Sequence, residues 1–251
     1  MNVTKFTLFK LSTASAALVF GIAPQAGAIS LNLSSGSWNQ PVGGSGIVYQ
    51  TVASETQVRW GTPHYGGGTS RKSGLGFTGV GPSTFGLGEI FQVGQLRHFN
   101  NAISGGTAAS AVNLSLFLNF DAPVATQSFN LKLEIDETTN ELGTCAYFSI
   151  TPCADKISIS ETSLSNQFSV AGIDYTLQLL GFSLTPGGVP INEFISQEGG
   201  TNQALLFAKV TAAEPEAEPE PVPEPATLAG TALWLLAARW AVGNKRKKAD
   251  S

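Results

Sequence analysis

Val112-Asn-Leu-Ser-Leu-Phe-Leu-Asn-Phe120 and Phe129-Asn-Leu-Lys-Leu-Glu-Ile-Asp136 decide the fold. In the first, Val112, Leu114, Leu116, Leu118 and Phe120 alternate with Asn113, Ser115 and Asn119. In the second, Phe129, Leu131, Leu133 and Ile135 alternate with Asn130, Lys132, Glu134 and Asp136. Side chains on a strand point to opposite faces with a period of two, so each run carries one apolar and one polar face, the pattern of a half-buried antiparallel strand. Ile157 and Ile159 against Lys156, Ser158 and Ser160 repeat it, as do Tyr175, Leu177 and Leu179 against Thr176 and Gln178. Shorter strands are predicted over Ile47–Val52, Gln57–Trp60, Gly74–Gly79, Gln92–Phe99, Gln167–Gly172 and Ala204–Thr211. Turn chemistry separates them at Gly66-Gly67-Gly68, Gly105-Gly106, Pro186-Gly187-Gly188 and Gly199-Gly200. Between Ile29 and Ala212 no helix-period segment exceeds about two turns, and no internal repeat points to a solenoid or propeller. The expectation is an all-β domain, an antiparallel β-sandwich of jelly-roll or immunoglobulin-like type.

Both ends outside this domain have the composition of targeting segments. Lys5 and Lys10 precede an apolar run from Leu11 to Ile22, followed by Pro24 and Ala26-Gly27-Ala28. That order predicts a signal peptide over 1–28, with Ala26 and Ala28 filling the small-residue positions of a cleavage site, and so export through the Sec machinery. At the other end, 213–225 is a Glu/Pro-rich stalk that closes on Pro223-Glu224-Pro225. Proline removes backbone donors and the carboxylates repel one another, so an extended stalk is expected. The segment 226–243 is apolar apart from Arg239. As a helix it is roughly 27 Å long, just short of the ~30 Å hydrocarbon core, and Arg239 near its basic end can snorkel to the headgroups. It is read as a single transmembrane helix, followed by a basic cytoplasmic tail over 244–251 whose Lys245, Arg246, Lys247 and Lys248 act as the membrane stop.

The middle, 29–212, is one domain's worth of chain and long enough to bury a core. Seven Lys/Arg stand against twelve Asp/Glu, a net of about −5, with no basic stripe, which excludes nucleic acid as a partner. Cys145 and Cys153 are the only cysteines. In an exported chain such a pair is read as a disulfide, the alternative being two free thiols. The small loop it closes gives ~2–3 kcal/mol by the chain-entropy model.

Two resemblances follow from these residues. Pro223-Glu224-Pro225-Ala226-Thr227, a short span and a terminal basic cluster resemble the PEP-CTERM sorting signal, which implies processing by an exosortase, a membrane-embedded cysteine protease. The departure is Arg239, since the span is usually uninterrupted in that family. Arg59-Trp60-Gly61 with Pro63, Ser73-Gly74-Leu75-Gly76-Phe77-Thr78-Gly79, Leu96-Arg97-His98-Phe99-Asn100-Asn101-Ala102-Ile103, Glu137-Thr138-Thr139-Asn140 and Cys153-Ala154-Asp155 resemble the choice-of-anchor K domain over about Trp60 to Phe182. That resemblance implies export and anchoring and carries no catalytic residues. Locally, the glycines of the Ser73–Gly79 run suit close backbone approach, and Asn100 and Asn101 suit a turn.

The sequence shows no recognisable catalytic machinery. Glu134 and Asp136 share a strand face while Glu137 points the other way, so the paired carboxylates of a retaining glycosidase are missing from this strand. His64 and His98 are far apart, and His98 is read as a structural hydrogen bonder. There is no G-x-S-x-G, H-E-x-x-H or S-x-x-K. Asp136, Glu137, Asp155 and Asn140 flank the disulfide loop; hard oxygen ligands on loops bind Ca²⁺, but the D-x-D-x-D spacing is absent, so no cofactor is assigned and a structural calcium is the lesser reading. Trp38, Tyr49, Trp60, Tyr65 and Tyr147 are candidate platforms for sugar faces, with Trp60 read as core by its place in a strand. The expected function is a non-enzymatic exported protein, first anchored in the inner membrane and then in the envelope or outside the cell, binding extracellular polysaccharide or a surface partner. The alternative is a divergent carbohydrate-active hydrolase on a β-sandwich.

Overall fold

The computed structural model describes residues 27–150, 152–160 and 164–213. The segments 1–26 and 214–251, which hold most of the signal peptide with Ala26, the Pro-Glu-Pro triplet, the apolar span and the basic tail, lie outside the described residues. Thirteen strands are described: β1 Ile29–Gly43, β2 Val48–Val52, β3 Glu55–Trp60, β4 Ser73–Gly79, β5 Ser83–Phe85, β6 Ile90–Asn100, β7 Ala109–Ala122, β8 Val124–Asp136, β9 Asp155–Ile159, β10 Leu164–Val170, β11 Ile173–Ser183, β12 Glu193–Ser196 and β13 Gly200–Ala212. They form two curled antiparallel sheets packed face to face, a β-sandwich. One sheet runs β12-β9-β8-β7-β1-β5 and the other β10-β11-β13-β6-β4-β3-β2.

The alternation in β7 and β8 becomes the core in register. Val112 lies opposite Leu133, Leu114 opposite Leu131 and Leu116 opposite Phe129, and all six are buried. Lys132, Glu134 and Asp136 on the other face of β8 are exposed. Each fully buried Leu or Phe contributes about 1.5–3 kcal/mol by leaving water.

Three strands do not follow from the periodicity: β1, β5 and β12. In β1 the buried positions are Ile29, Leu31, Ser34 and Trp38, and Leu33 is exposed. Register shifts between Ser30 and Leu31 and again between Leu31 and Leu33 change the parity along the strand. A bulge lets two residues face one, so the period-two signal is lost although the chain stays extended. Ser34 then fastens β1 to the opposite sheet. Its N–H donates to Val80 O at 3.0 Å, its Oγ accepts from Val80 N–H at 2.8 Å, and its hydroxyl donates to Val93 O at 2.5 Å. Only glycine allows this approach: a Cβ on Gly79 would stand 1.9 Å from Ser34 O.

The sequence motif around Arg59 and Leu96–Asn100 divides between two faces. Arg59 and Arg97 lie on the outer face with their guanidinium groups 3.8 and 4.6 Å from the Phe99 ring centroid, and Arg97 pairs with Glu55 at 2.7 Å. Trp60, His98 and Asn100 face inward and are fully buried. Trp38 is buried as well, with Nε1 donating to Thr56 O at 2.8 Å. Neither Trp38 nor Trp60 can therefore stack on a sugar; both fill the core.

Candidate functional site

Four inward faces change character at the same end of the sandwich. On β6 the buried series runs Leu96, His98, Asn100; on β9, read backwards, Ile159, Ile157, Asp155. On β8 it runs Leu133, Ile135 and then the half-buried Glu137, one step beyond the strand, whose carboxylate oxygens are shut off from solvent. On β12 it runs Phe194, Ser196 and then Glu198. Period-two geometry continues past the apolar residues and delivers polar groups into a layer below the loops.

Hydrogen bonds join these groups across the two sheets. Asn100 Nδ2 donates to Ser196 O at 2.9 Å. His98 Nδ1 and Ser196 Oγ are 2.7 Å apart, and the imidazole lies stacked beside Trp60 with centroids 6.4 Å apart. Burial, reinforced by the Arg59 charge, lowers His98 to about 3, so it is neutral and structural. Thr138 donates its N–H to Asp155 Oδ1 at 2.8 Å, and its hydroxyl lies 2.9 Å from Cys153 O. Asn140, with its amide nitrogen turned inward, donates to the Glu198 carboxylate at 2.9 and 3.3 Å.

Burial raises all three acids, and the Asp155 charge adds to it at Glu137 and at Glu198. Glu137 is pushed well above the usual carboxylate range by burial, then by the Asp155 and Glu198 charges. Asp155 is pushed up by burial, against the opposing hydrogen bonds from Thr138. Glu198 is raised to about 7 by burial and the Asp155 charge, with the Gly199 N–H working the other way.

Above this layer the loops enclose two clefts of about 600 and 440 Å³ that share Tyr65, Ala102 and Asn140. The first is bounded by His64 and Tyr65 on one side and by Glu137, Thr138, Asn140 and Glu141 on another. The second adds Arg71, Asn101, Pro152 and Glu198. The His64–Tyr65 wall is held by backbone: His64 N–H donates to Ala102 O at 3.0 Å, and Pro63 pairs with Ile103 as a β-bridge. Tyr65 is 83% exposed and meets His64 edge to face at 4.9 Å.

The cysteines expected to pair do so: Cys145 and Cys153 form a disulfide with Cα atoms 5.1 Å apart. Of the four acidic or amide residues flanking that loop, Glu137, Asp155 and Asn140 come together. Asp136 does not; it is exposed on the outer face and bonds the Tyr147 hydroxyl. Asn100 is not the turn residue expected of it but the buried end of β6, where only Asn101 beyond it leaves the strand. Glu198 and Ser196 were not singled out by sequence, because the short β12 that carries them has a single alternation. Tyr49 and Tyr65 are exposed, and Tyr147 is half-buried. Among the described residues, no three His, Cys, Asp or Glu side chains stand as a ready-made metal cluster. No protein-family model matches the sequence, and no curated protein matches it.

Proposed function

We propose that this chain is an exported, non-enzymatic envelope module that binds neutral polysaccharide at the loop end of its sandwich. We further propose that it carries a C-terminal sorting signal for an exosortase. The observation that carries the binding reading is Tyr65, an aromatic ring 83% exposed at the junction of two clefts rimmed by carboxylates and amides. An exposed ring offers a flat apolar face to a sugar at low entropy cost, and the flanking oxygens and nitrogens match its hydroxyls. Glu141 in the first cleft and Glu198 in the second favour a neutral glycan over an acidic one. Export is supported by the disulfide, which belongs in an oxidising compartment, and by the order of the N-terminal segment. Family and sorting assignments rest on the choice-of-anchor K and PEP-CTERM resemblances. The finer topology is read as jelly-roll-like, since thirteen strands exceed the roughly seven to nine of an immunoglobulin domain.

The hydrolase reading is weaker. Both carboxyl oxygens of Glu137 are shut off from solvent, whereas a general acid must come within hydrogen-bond reach of the bond it cleaves. Affinity electrophoresis of the full-length chain through neutral polysaccharide gels tests the binding reading. Retardation that is abolished in Tyr65→Ala is the expected result. No retardation by any neutral glycan, or equal retardation of the variant, would remove Tyr65 and the clefts from the account.

A further inference from the structure

The polar layer below the clefts poses a separate problem. Glu137 Oε1 and Oε2, Asp155 Oδ2 and Asn100 Oδ1 are all buried, and none accepts a hydrogen bond from the protein. Asp155 and Asn100 are fully buried residues. Asn100 spends its Nδ2 on Ser196 O and lies alongside Asp155, favouring the ionised carboxylate without reaching hydrogen-bonding geometry. Asp155 is also the strongest charged neighbour of Glu137. Buried acceptors without donors are costly, at roughly 1–3 kcal/mol each and more when charged. A proton on Glu137 shared with Asp155 would serve two of the four oxygens and leave two unmatched, the second Glu137 oxygen and Asn100 Oδ1. A dication matches them all at once.

We propose that Glu137, Asp155 and Asn100 form a binding site for a single calcium ion that ties the loop end of the two sheets together. The donor set is all oxygen; His98 holds Ser196 through Nδ1, and both cysteines are in the disulfide. Oxygen-only sets select hard cations, and a mixed set of two carboxylates and an amide suits the flexible coordination of Ca²⁺ better than the octahedral demand of Mg²⁺. The charge count fits too, because two carboxylates balance one dication. Glu198 remains outside, held by Asn140, and adds to the negative field. The residues come from β6, from the segment after β8 and from β9, so one ion would bridge both sheets and the start of the disulfide loop. This site does not depend on glycan binding.

The test is calcium titration of the full-length chain after chelator treatment, read by thermal unfolding and by calorimetry at neutral pH. With affinity in the ten-micromolar range, 1 mM CaCl₂ raises Tm by about 5–10 °C, and calorimetry returns one ion per chain. The same concentration of MgCl₂ gives a much smaller shift. Glu137→Gln and Asp155→Asn keep the shape and abolish the calcium shift. Absence of any shift or heat with wild-type protein up to 10 mM calcium overturns the proposal without need of a variant. So does an undiminished shift in both variants, which would put the ion elsewhere.

Discussion

Replacing Gly79 with alanine tests how β1 is fastened to the rest of the sandwich. The new Cβ would lie 1.9 Å from Ser34 O and 2.7 Å from Ser34 C. Reaching even a 3.0 Å separation requires the two backbones to part by about 1 Å. Ser34 cannot give way freely, because its N–H and hydroxyl make three hydrogen bonds to Val80 and Val93. Each such bond is worth about 0.5–1.5 kcal/mol net, and overpacking a filled site adds about 1–3 kcal/mol. Loss of glycine's freedom in the unfolded chain returns about 0.4–1 kcal/mol. Partial relaxation leaves an expected destabilisation of about 3 kcal/mol, or a fall in Tm of about 6–12 °C for a domain of this size. Urea unfolding of the chain measures it, with Gly105→Ala as the control, since nothing stands within 4 Å of a Cβ there. A Gly79→Ala protein within 1 kcal/mol of the wild type would mean that Ser34 and Gly79 are not in contact, and that β1 does not lie where it is placed.

Two further outcomes are expected. Cys145→Ser with Cys153→Ser opens a loop of sequence separation 8, and urea unfolding under oxidising conditions should show a loss of about 2–3 kcal/mol that vanishes when the wild type is reduced. Replacing Pro223, Glu224 and Pro225 with alanine should leave export intact and stop release from the inner membrane, as read by fractionation; mass spectrometry of the mature wild type finding an intact Ser251 in a host with an active exosortase would leave an ordinary membrane anchor as the better account.

The strands that sequence made legible are those whose parity is unbroken. In β8 every residue from Phe129 to Asp136 alternates between buried and exposed, so the apolar face can be read directly. In β1 the bulges bring Ser34 inward and leave Leu33 at 47% exposure, and a hydrophobicity pattern then describes two short fragments instead of one long strand. The three-residue β5 and the four-residue β12 are too short for any period to emerge. The same reasoning separates the aromatic candidates. Trp60 lies on a predicted strand and could be assigned to the core, whereas Trp38 lies on the strand that the bulges conceal. The disulfide was legible for a chemical reason, since two cysteines in a chain read as exported have one natural partner each.

The candidate site was only half legible, and the cause lies in where strand reading stops. Periodicity is usually followed to the last apolar residue, here Ile135, Ile157 or Leu96. Carried one or two alternations further, the same faces arrive at Glu137, Asp155, His98 and Asn100, and on β12 the step from Phe194 passes through Ser196 to Glu198. One such residue is a frayed end. Four faces turning polar at a common level, on strands from both sheets, is a coordinated departure from the rule that buried positions are apolar. A sandwich selected for stability alone would close that level with leucine or valine, because burying charge costs more than burying a side chain of equal volume gains. Local violations of this kind are expected where a site overrides packing. The polar layer adjoins the cleft walled by Tyr65, a tyrosine 83% exposed at the loop end, so the departure from good packing and the surface suited to a ligand coincide at one end of the domain. That coincidence of two independent features, one a cost to stability and the other an aromatic face left to solvent, is the physical ground for assigning function to this end of the sandwich.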